Sequence, residues 1–217
     1  MRDLLRGLPV LAHPMPEFDV EGAPPEPTEL FVGWLTEAVA AGVTEPHAMT
    51  LSTVDADGQP DARVLILKDL DAEGNFAYAT TSTSVKGRHV AANPRVALSF
   101  HWREQGRQIR VRGIARPADP TVSRQDFLAR PEGSRIASLV GRQSEVLTDR
   151  TELTEALAAA RARIAADPTV APDTHVVYVV RPDSVEFWQA DRQREHIRLR
   201  YRRAGDTGDW VRELLWP

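Results

Sequence analysis

A short polar stretch, TTSTSVKG at residues 80–87, separates an apolar run at residues 76–79 from a helix-like run at residues 88–92. Five hydroxyl side chains and one ammonium group therefore meet at a predicted strand-to-helix turn. Free backbone N–H groups at a helix start, hydroxyls and a lysine together favour the binding of a phosphate dianion. An ordinary loop with a serine N-cap explains the same residues, and the stretch taken alone favours that simpler interpretation.

Two cations, Arg63 and Lys68, bracket a second apolar run at residues 62–67. Their odd spacing places them on opposite faces of a regular strand. The run itself is apolar on both faces, which predicts a central strand. A buried arginine needs an anionic or carbonyl partner, and either a ligand or a nearby aspartate can supply it.

Two glutamines and a tryptophan are candidates for contacts with a flat ligand. Gln108 and Gln143 can each donate and accept hydrogen bonds, which suits the mixed edge of a heteroaromatic ring, although surface solvation is their default role. In the predicted strand 184–189, Phe187 is expected in the core. Trp188 then points to the other face, where it can cover a planar ligand.

A basic run near the C-terminus alternates along a predicted strand, so its cations are expected to share one face. Its members are Arg194, His196, Arg198, Arg200 and Arg202. A solvated edge strand would explain such a run, but so many cations on one face favour an anion site at least in its first half. The net charge of −4 argues against a nucleic-acid surface.

Composition excludes several classes of protein. The chain has 217 residues, 42% of them hydrophobic and 27% charged, which is typical of a globular protein. It has no cysteine, which excludes disulfides, thiolate metal sites and cysteine nucleophiles, and its six histidines lack paired metal-ligand spacing. No apolar run approaches the roughly 20 residues of a membrane helix, so we expect a soluble, cytoplasmic protein without membrane contact.

The order of predicted elements indicates a mainly β fold. Residues 1–27 carry six of the 16 prolines and predict an extended N-terminal arm, followed by a single domain at residues 28–217. Helices are predicted at 28–42, 88–92, 120–129, 134–141 and 151–166. Strands are predicted at 47–54, 62–67, 76–79, 95–102, 108–115, 175–180, 184–189, 196–203 and 210–215. Strands joined by short turns favour an antiparallel barrel with flanking helices over a doubly wound sheet.

From about Leu30 to Pro217, the sequence resembles the FMN-dependent pyridoxine/pyridoxamine 5′-phosphate oxidase family. The motifs that carry the resemblance are residues 62–68, Thr80 with Ser84-Val85-Lys86, Asn93-Pro94-Arg95, Arg107-Gln108, residues 130–134, Gln143-Ser144, Glu186-Phe187-Trp188-Gln189 and residues 194–198. The resemblance implies an FMN-binding split β-barrel, antiparallel and Greek-key-like, that forms a homodimer with FMN at each subunit interface. It also implies oxidation of pyridoxamine or pyridoxine 5′-phosphate to pyridoxal 5′-phosphate by O2, with release of H2O2.

The resemblance assigns roles to individual residues. The implied FMN contacts are Arg63, Val64, Leu65, Ile66, Leu67, Lys68, Thr80, Ser84, Lys86, Gln108, Gln143, Ser144, Trp188 and Arg198. The implied contacts with the small-molecule substrate are Lys68, Arg130, Ser134, Arg194 and His196. Of these, Arg194 and His196 are the implied catalytic residues: Arg194 orients the substrate and favours the anionic reduced flavin, and His196 holds a substrate oxygen or anion.

The sequence departs from the family pattern at four places. Asp126 stands where the family usually has tyrosine, Val85 where it has arginine, and Ile197 where it has aspartate. Residues 174–178 replace a segment of tryptophan, two glycines, an aromatic residue and arginine. A carboxylate at position 126 would repel a substrate phosphate. The main alternative is therefore a flavin oxidase of phenazine biosynthesis, a related group that relaxes the phosphate contacts; a non-catalytic flavin or haem carrier on the same fold is a further one.

Overall fold

The computed structural model describes residues 1–205 and 208–217, which divide into two compact units. The first unit comprises residues 1–51, 97–113 and 182–217, and the second comprises residues 52–96 and 114–181. Within the described part of the chain, no helix is both long and apolar enough to cross a membrane.

Helices flank the strands in both units. They are α1 (Arg2–Arg6), α2 (Pro27–Ala40), α3 (Val85–Ala92), α4 (Pro120–Ala129), α5 (Glu132–Val140) and α6 (Arg150–Ala166). Helix α2 begins with Pro27, whose missing N–H costs nothing in the first turn. Its residues Leu30, Phe31 and Trp34 are buried at helical spacing.

The strands are β1 (Ala48–Val54), β2 (Pro60–Ile66), β3 (Asp69–Leu70), β4 (Phe76–Thr81), β5 (Arg95–Trp102), β6 (Arg107–Pro117), β7 (His175–Gln189), β8 (Ile197–Arg203) and β9 (Trp210–Leu214). Among the described residues they form one sheet in the order β2-β1-β5-β6-β7-β4-β3, with β8 on β7 and β9 on β8. The pairs β3–β4, β4–β7, β7–β8 and β8–β9 are antiparallel. The predicted mainly antiparallel β fold with flanking helices is confirmed.

Each unit has its own core. In the first unit, aromatic rings pack edge to face, with ring centroids 4.9 Å apart for Phe18 and Trp34, and 5.2 Å apart for Trp34 and Phe187. In the second unit, helices α4, α5 and α6 bury a cluster that includes Phe127, Leu139 and Ile164. These cores hold the strands and helices that carry the candidate site residues.

The long strand β7 corresponds to two predicted strands, 175–180 and 184–189. Its first part pairs with β4 at residues 175–180, and its second part pairs with β8 at residues 184–189. Pro182 lies between the two paired segments and has no N–H to donate to a sheet. The sequence therefore predicted the two paired segments of β7 but not the continuity of the strand.

The prediction that residues 62–67 form a central strand is wrong. The corresponding strand β2 lies at the end of the strand order, and its side chains Val64 and Ile66 are 66% and 38% exposed. Apolar residues on both faces indicate that both faces meet apolar surroundings. That pattern cannot distinguish a face covered by the chain itself from a face that lines a cavity or meets another molecule.

Candidate functional site

The second unit contains a cavity of about 700 Å³, a volume typical of cofactor and small-molecule sites. Its walls come from β2, β4, α5 and α6. Eight of the predicted site residues line it: Val64, Leu65, Ile66, Lys68, Thr80, Arg130, Ser134 and Gln143. The structure therefore brings together residues from four separate motifs of the sequence.

Five other predicted residues belong to the second unit without lining this cavity: Arg63, Leu67, Ser84, Lys86 and Ser144. Lys86 nevertheless reaches the cavity wall, because its Nζ lies 3.2 Å from Oε1 of the lining residue Gln143. Ser144 follows Gln143 with a φ of 75°, a left-handed conformation that is uncommon for serine.

The apolar wall of the cavity includes Val64 and Ile66 of β2, whose exposed side chains lie two residues apart on the same face of the strand. Leu153 and Leu157 of α6 contribute further apolar surface. A cavity with apolar wall residues and a few polar groups suits a cofactor or another small organic ligand.

The stretch at residues 80–87 forms the predicted turn between β4 and α3. Helix α3 begins at Val85, three residues earlier than predicted, so that Lys86 and Gly87 lie in its first turn. Ser84 is the N-cap, and its Oγ accepts a hydrogen bond from the N–H of Gly87 at 3.3 Å and donates to the carbonyl of Thr81 at 2.6 Å. The predicted serine N-cap is confirmed.

Glycine is required at position 87 because the backbone packs closely there. A Cβ atom at this position would lie 2.2 Å from the carbonyl oxygen of Ser82 and 2.7 Å from that of Thr81. The tight turn places Lys86 in the first turn of α3, with its Nζ 3.4 Å from the N-cap oxygen of Ser84, and a helix N-terminus beside a cation favours anion binding.

Lys86 is buried to 7% exposure. Its Nζ lies 3.4 Å from Ser84 Oγ and 3.2 Å from Gln143 Oε1, both neutral oxygens, and within residues 1–205 and 208–217 it forms no ion pair with a carboxylate. Burial lowers the pKa of this ammonium group, the charge of Arg63 lowers it further, and Asp61 opposes the shift. A buried cation with only neutral partners is costly unless an anion joins it.

Arg63 extends the same positive region. Its Nη1 donates to Thr53 Oγ1 at 2.7 Å, and its Nη2 pairs with Asp61. Thr53 Oγ1 also lies 3.0 Å from Nδ1 of His89 on α3. Asp61 is therefore the aspartate partner that the sequence suggested for Arg63, and the side chain of Asp61 is half exposed.

Lys68, Asp126 and His175 form a connected charged group in the second unit. Lys68 Nζ lies 2.9 Å from Asp126 Oδ1, and His175 Nε2 lies 2.7 Å from Asp126 Oδ2. Burial raises the pKa of Asp126, but hydrogen bonds from His175 and Lys68 outweigh it and hold that pKa below its ordinary value. Asp126 is therefore an ionised carboxylate at neutral pH.

Arg130 and Ser134 lie where α5 meets the cavity. Arg130 Nη1 donates to Ser138 Oγ at 2.6 Å, and the Ser134 N–H donates to the Pro131 carbonyl at 2.9 Å. Burial lowers the pKa of Arg130, while the charge of Asp126 raises it. Arg130 remains a cation because an arginine side chain is effectively always protonated.

The first unit holds a second group of predicted residues: Gln108, Trp188, Arg194, His196 and Arg198. Trp188 is half-buried on β7 while its neighbour Phe187 is fully buried, so the predicted opposite orientations of these two rings are confirmed. The centroids of the Trp188 and His196 rings lie 4.9 Å apart.

Arg194 and His196 lie on a turn before β8 rather than on the strand itself. Arg194 is exposed and has a φ of 72°, an unusual left-handed conformation. The backbone N–H of Asp191 donates to His196 Nδ1 at 3.0 Å. Because Nδ1 uses its lone pair in this bond, the neutral ring carries its proton on Nε2 and presents an N–H donor.

Asp191 organises this turn. Its Oδ1 accepts hydrogen bonds from the N–H groups of Gln193 at 2.7 Å and Glu195 at 3.3 Å. These bonds hold the backbone on either side of Arg194. Asp191 was missed in the sequence, although an aspartate two residues before a polar turn residue is a known signal of such a turn.

Because the resemblance implies that Arg194 and His196 contact a substrate, replacing Asp191 by alanine is expected to lower substrate turnover about fivefold, since a lost cap of this kind costs about 1 kcal/mol of local order. Asparagine should restore most of the activity, because its side-chain oxygen can accept the same two bonds. The measurement is kcat/KM together with bound-flavin content. Equal losses for alanine and asparagine would contradict the positioning role.

The basic run of the C-terminal strands is largely neutralised by carboxylates from neighbouring strands. Arg198 pairs with Glu186 at 2.9 Å, and Glu213 accepts from both Arg200 at 2.6 Å and Arg202 at 3.1 Å. Because these three arginines have carboxylate partners, their number alone does not require a bound anion, and the anion site expected at least in the first half of the run stays a prediction. Because side chains alternate along a strand, Glu186 shares a face with Trp188. The sequence therefore already offered a carboxylate on this face as a partner for Arg198, and that signal was missed.

Gln108 follows a fully enclosed arginine on β6. The guanidinium of Arg107 donates to Gln189 at 3.0 Å and pairs with Glu37 at 2.6 Å. It also lies 4.1 Å from the ring centroid of Trp34. Arg107 therefore holds the first unit together, and the half-buried Gln108 projects from the other face of the strand.

Two family models match the chain. One, described as pyridoxamine 5′-phosphate oxidase, matches residues 35–189. The other, described as the pyridoxine 5′-phosphate oxidase C-terminal dimerisation region, matches residues 175–217 and supports a homodimer.

Similar proteins agree with these matches. A pyridoxine/pyridoxamine 5′-phosphate oxidase of Rubrobacter xylanophilus is 42% identical over 197 residues, which cover 91% of this chain and 89% of the relative. The crystal structure of PhzG from Burkholderia lata, in complex with tetrahydrophenazine-1-carboxylic acid, has a TM-score of 0.85 and 32% identity, covering 94% of this chain and 99% of PhzG.

A pyridoxamine 5′-phosphate oxidase-related, FMN-binding protein of Nostoc punctiforme shares the fold at 15% identity, with a TM-score of 0.72 and coverage of 90% of this chain and all of that one. The expected split-barrel fold is confirmed, and the relatives imply a flavin as the cofactor. Since one family model spans more than half of the sequence and a curated relative aligns with nine-tenths of it, the chain belongs to the pyridoxamine 5′-phosphate oxidase family.

Proposed function

We propose that this chain is an FMN-dependent oxidase that converts pyridoxamine or pyridoxine 5′-phosphate to pyridoxal 5′-phosphate, with O2 as oxidant and H2O2 as product. The observation that carries the proposal is the buried ammonium group of Lys86, which has neutral partners at the N-terminus of α3 and touches the wall of a 700 Å³ cavity. This arrangement calls for an anionic ligand with a large flat part.

The residues present fit the mononucleotide. Ser84, Lys86 and Arg63 would hold its phosphate, while the apolar wall that contains Val64 and Ile66 would hold its ring system. Thr80 and Gln143 would bond polar atoms of the ring or ribityl chain. The remaining proposed contacts are Leu65, Leu67, Lys68, Gln108, Ser144, Trp188 and Arg198. The homodimer would place the FMN at the subunit interface, where two copies of the chain contribute residues.

When bound, FMN would supply the hydride acceptor and pass the electrons on to O2. The chain would bind the substrate phosphate through Lys68, Arg130 and Ser134. Arg194 would orient the substrate and stabilise negative charge near the flavin, and His196 would donate its Nε2 proton in a hydrogen bond to a substrate oxygen or anion. The apolar cavity wall would exclude water.

The test is turnover under air. Purified protein loaded with FMN is mixed with pyridoxamine 5′-phosphate, and both pyridoxal 5′-phosphate and H2O2 are quantified. The proposal predicts the two products in a 1:1 ratio, together with one ammonia for each pyridoxamine 5′-phosphate consumed. Flavin-loaded protein that releases neither product from either vitamin B6 phosphate would refute the substrate assignment.

A second candidate is a flavin oxidase that dehydrogenates a reduced tricyclic aromatic acid, as the likeness to PhzG and its bound acid suggests. The specific observation in its favour is the ion pair between Lys68 and Asp126, which offsets one of the cations available to a substrate phosphate. Oxidation of tetrahydrophenazine-1-carboxylic acid, with pyridoxamine 5′-phosphate left unchanged, would establish this candidate instead.

A further inference from the structure

The group formed by Lys68, Asp126 and His175 joins two of the places where the sequence departs from the family pattern. Asp126 is one departure, and His175 belongs to the departing segment 174–178. These two side chains lie 2.7 Å apart although they are 49 residues apart in the sequence. The two departures therefore meet beside the cavity, whose wall includes both Lys68 and His175.

Asp126 changes the electrostatics of that end. Its Oδ1 pairs with Lys68 and its Oδ2 bonds His175, so both carboxylate oxygens are occupied. The side chain of Asp126 is 18% exposed, which limits solvent screening of its charge. The negative charge compensates the ammonium group of Lys68. Arg130, whose hydrogen-bond partner Ser138 is neutral, is left as the main attraction for an anion.

A phosphate dianion is affected more strongly than a neutral or singly charged group. Its two charges both interact with the carboxylate, and in a partly buried site this repulsion is much larger than in bulk water. His175 is too enclosed to move away from Asp126, since it is 5% exposed and its ring packs edge-on against Phe127 at 5.3 Å. The enclosed His175 and Lys68 therefore contact the Asp126 carboxylate, one at each oxygen.

We infer that Asp126 determines substrate specificity by weakening the binding of a dianionic phosphate relative to the same ring without phosphate. This inference rests on the proposed function, because it assigns the substrate phosphate to the end of the cavity that contains Lys68 and Arg130. Asp126 acts through Lys68 and the local field rather than by touching the substrate.

The experiment compares binding of two ligands that differ only in the phosphate. Dissociation constants for pyridoxamine 5′-phosphate and pyridoxamine are measured by anaerobic titration of the FMN-loaded protein, following the flavin absorbance. Asp126→Asn removes the charge but keeps an oxygen for Lys68 or His175. Asp173→Asn is the matched control, because Asp173 is exposed and its side chain forms no hydrogen bond or ion pair within residues 1–205 and 208–217.

Asp126→Asn is expected to tighten binding of pyridoxamine 5′-phosphate about tenfold and to change binding of pyridoxamine less than twofold. Asp173→Asn should leave both dissociation constants as in the wild type. Asp126→Ser, which also removes the charge, should repeat the result and provides a second test if the asparagine variant does not fold.

Unchanged or weaker binding of pyridoxamine 5′-phosphate in both variants would overturn the inference, because a purely structural carboxylate behaves in that way. If neither ligand binds wild type or variants, the substrate assignment fails and this inference fails with it. If all the proteins bind pyridoxamine equally and the variants keep the wild-type preference for pyridoxamine 5′-phosphate, the specificity role of Asp126 is wrong. The proposed function would stand in that case.

Discussion

Replacing Lys86 by methionine is expected to weaken FMN binding about 10- to 100-fold, because a charge-assisted hydrogen bond to phosphate contributes about 1.5–3 kcal/mol. Methionine keeps most of the volume of the buried side chain, so the fold should persist. The buried ammonium group of Lys86 stabilises the protein only when an anion pairs with it, since its partners in the structure are the neutral oxygens of Ser84 and Gln143. The Lys86→Met apoprotein should therefore be at least as stable as the wild-type apoprotein.

The measurement is titration of the apoprotein with FMN, followed by quenching of flavin fluorescence, alongside thermal unfolding of the apoprotein. Arg161→Met is the matched control, because it removes one cation from an exposed position on α6. Riboflavin, which lacks the phosphate, should bind Lys86→Met and wild type alike. An equal loss of riboflavin and FMN affinity would show that Lys86 supports the cavity rather than the phosphate.

Replacing Arg194 by alanine is expected to lower kcat about 100-fold while leaving FMN content unchanged. Removal of a group that stabilises developing charge typically has an effect of that size. Arg194 is an exposed cation on a turn that the Asp191 carboxylate holds, so truncating it disturbs no buried contact. The turn holds the backbone of Arg194 in a left-handed conformation, and this conformation sets the direction in which the side chain leaves the backbone.

Turnover of pyridoxamine 5′-phosphate, measured as H2O2 release, and flavin absorbance of the purified protein together test this prediction. Arg192→Ala is the control on the same turn; the Arg192 guanidinium donates to the carbonyl of His13 at 3.3 Å and forms no ion pair with any residue in the described ranges 1–205 and 208–217. Arg194→Lys keeps the charge and should retain part of the activity. Wild-type turnover by Arg194→Ala would remove Arg194 from the catalytic residues.

The sequence predicted the turn between β4 and α3 well, because its signals are local. A strand, a hydroxyl-rich turn, a serine N-cap and a lysine follow one another within residues 76–87, so spacing alone brings them together. A further signal went unused: Lys68 and Lys86 are the only lysines of a chain that otherwise uses arginine, and both lie at the candidate site. A compact ammonium group suits a point contact with an anion.

The charged contacts across the sheet and between distant segments were not predictable from the sequence. Asp126 and His175, and likewise Arg200 and Glu213, meet only because strands and helices bring them together. Charges that looked unpaired in the sequence are therefore paired in the structure. The exposure of Val64 and Ile66 was missed for a different reason: hydrophobicity predicts that a surface is apolar but not what covers it.

The central claim is that a buried lysine at a helix N-terminus and an apolar cavity hold an anionic flavin mononucleotide. The most direct measurement is the absorbance spectrum of the purified protein, followed by denaturation and chromatography of the released chromophore. The account predicts a flavin spectrum with one FMN, rather than riboflavin or FAD, for each chain. A colourless protein that binds no FMN on reconstitution would contradict it.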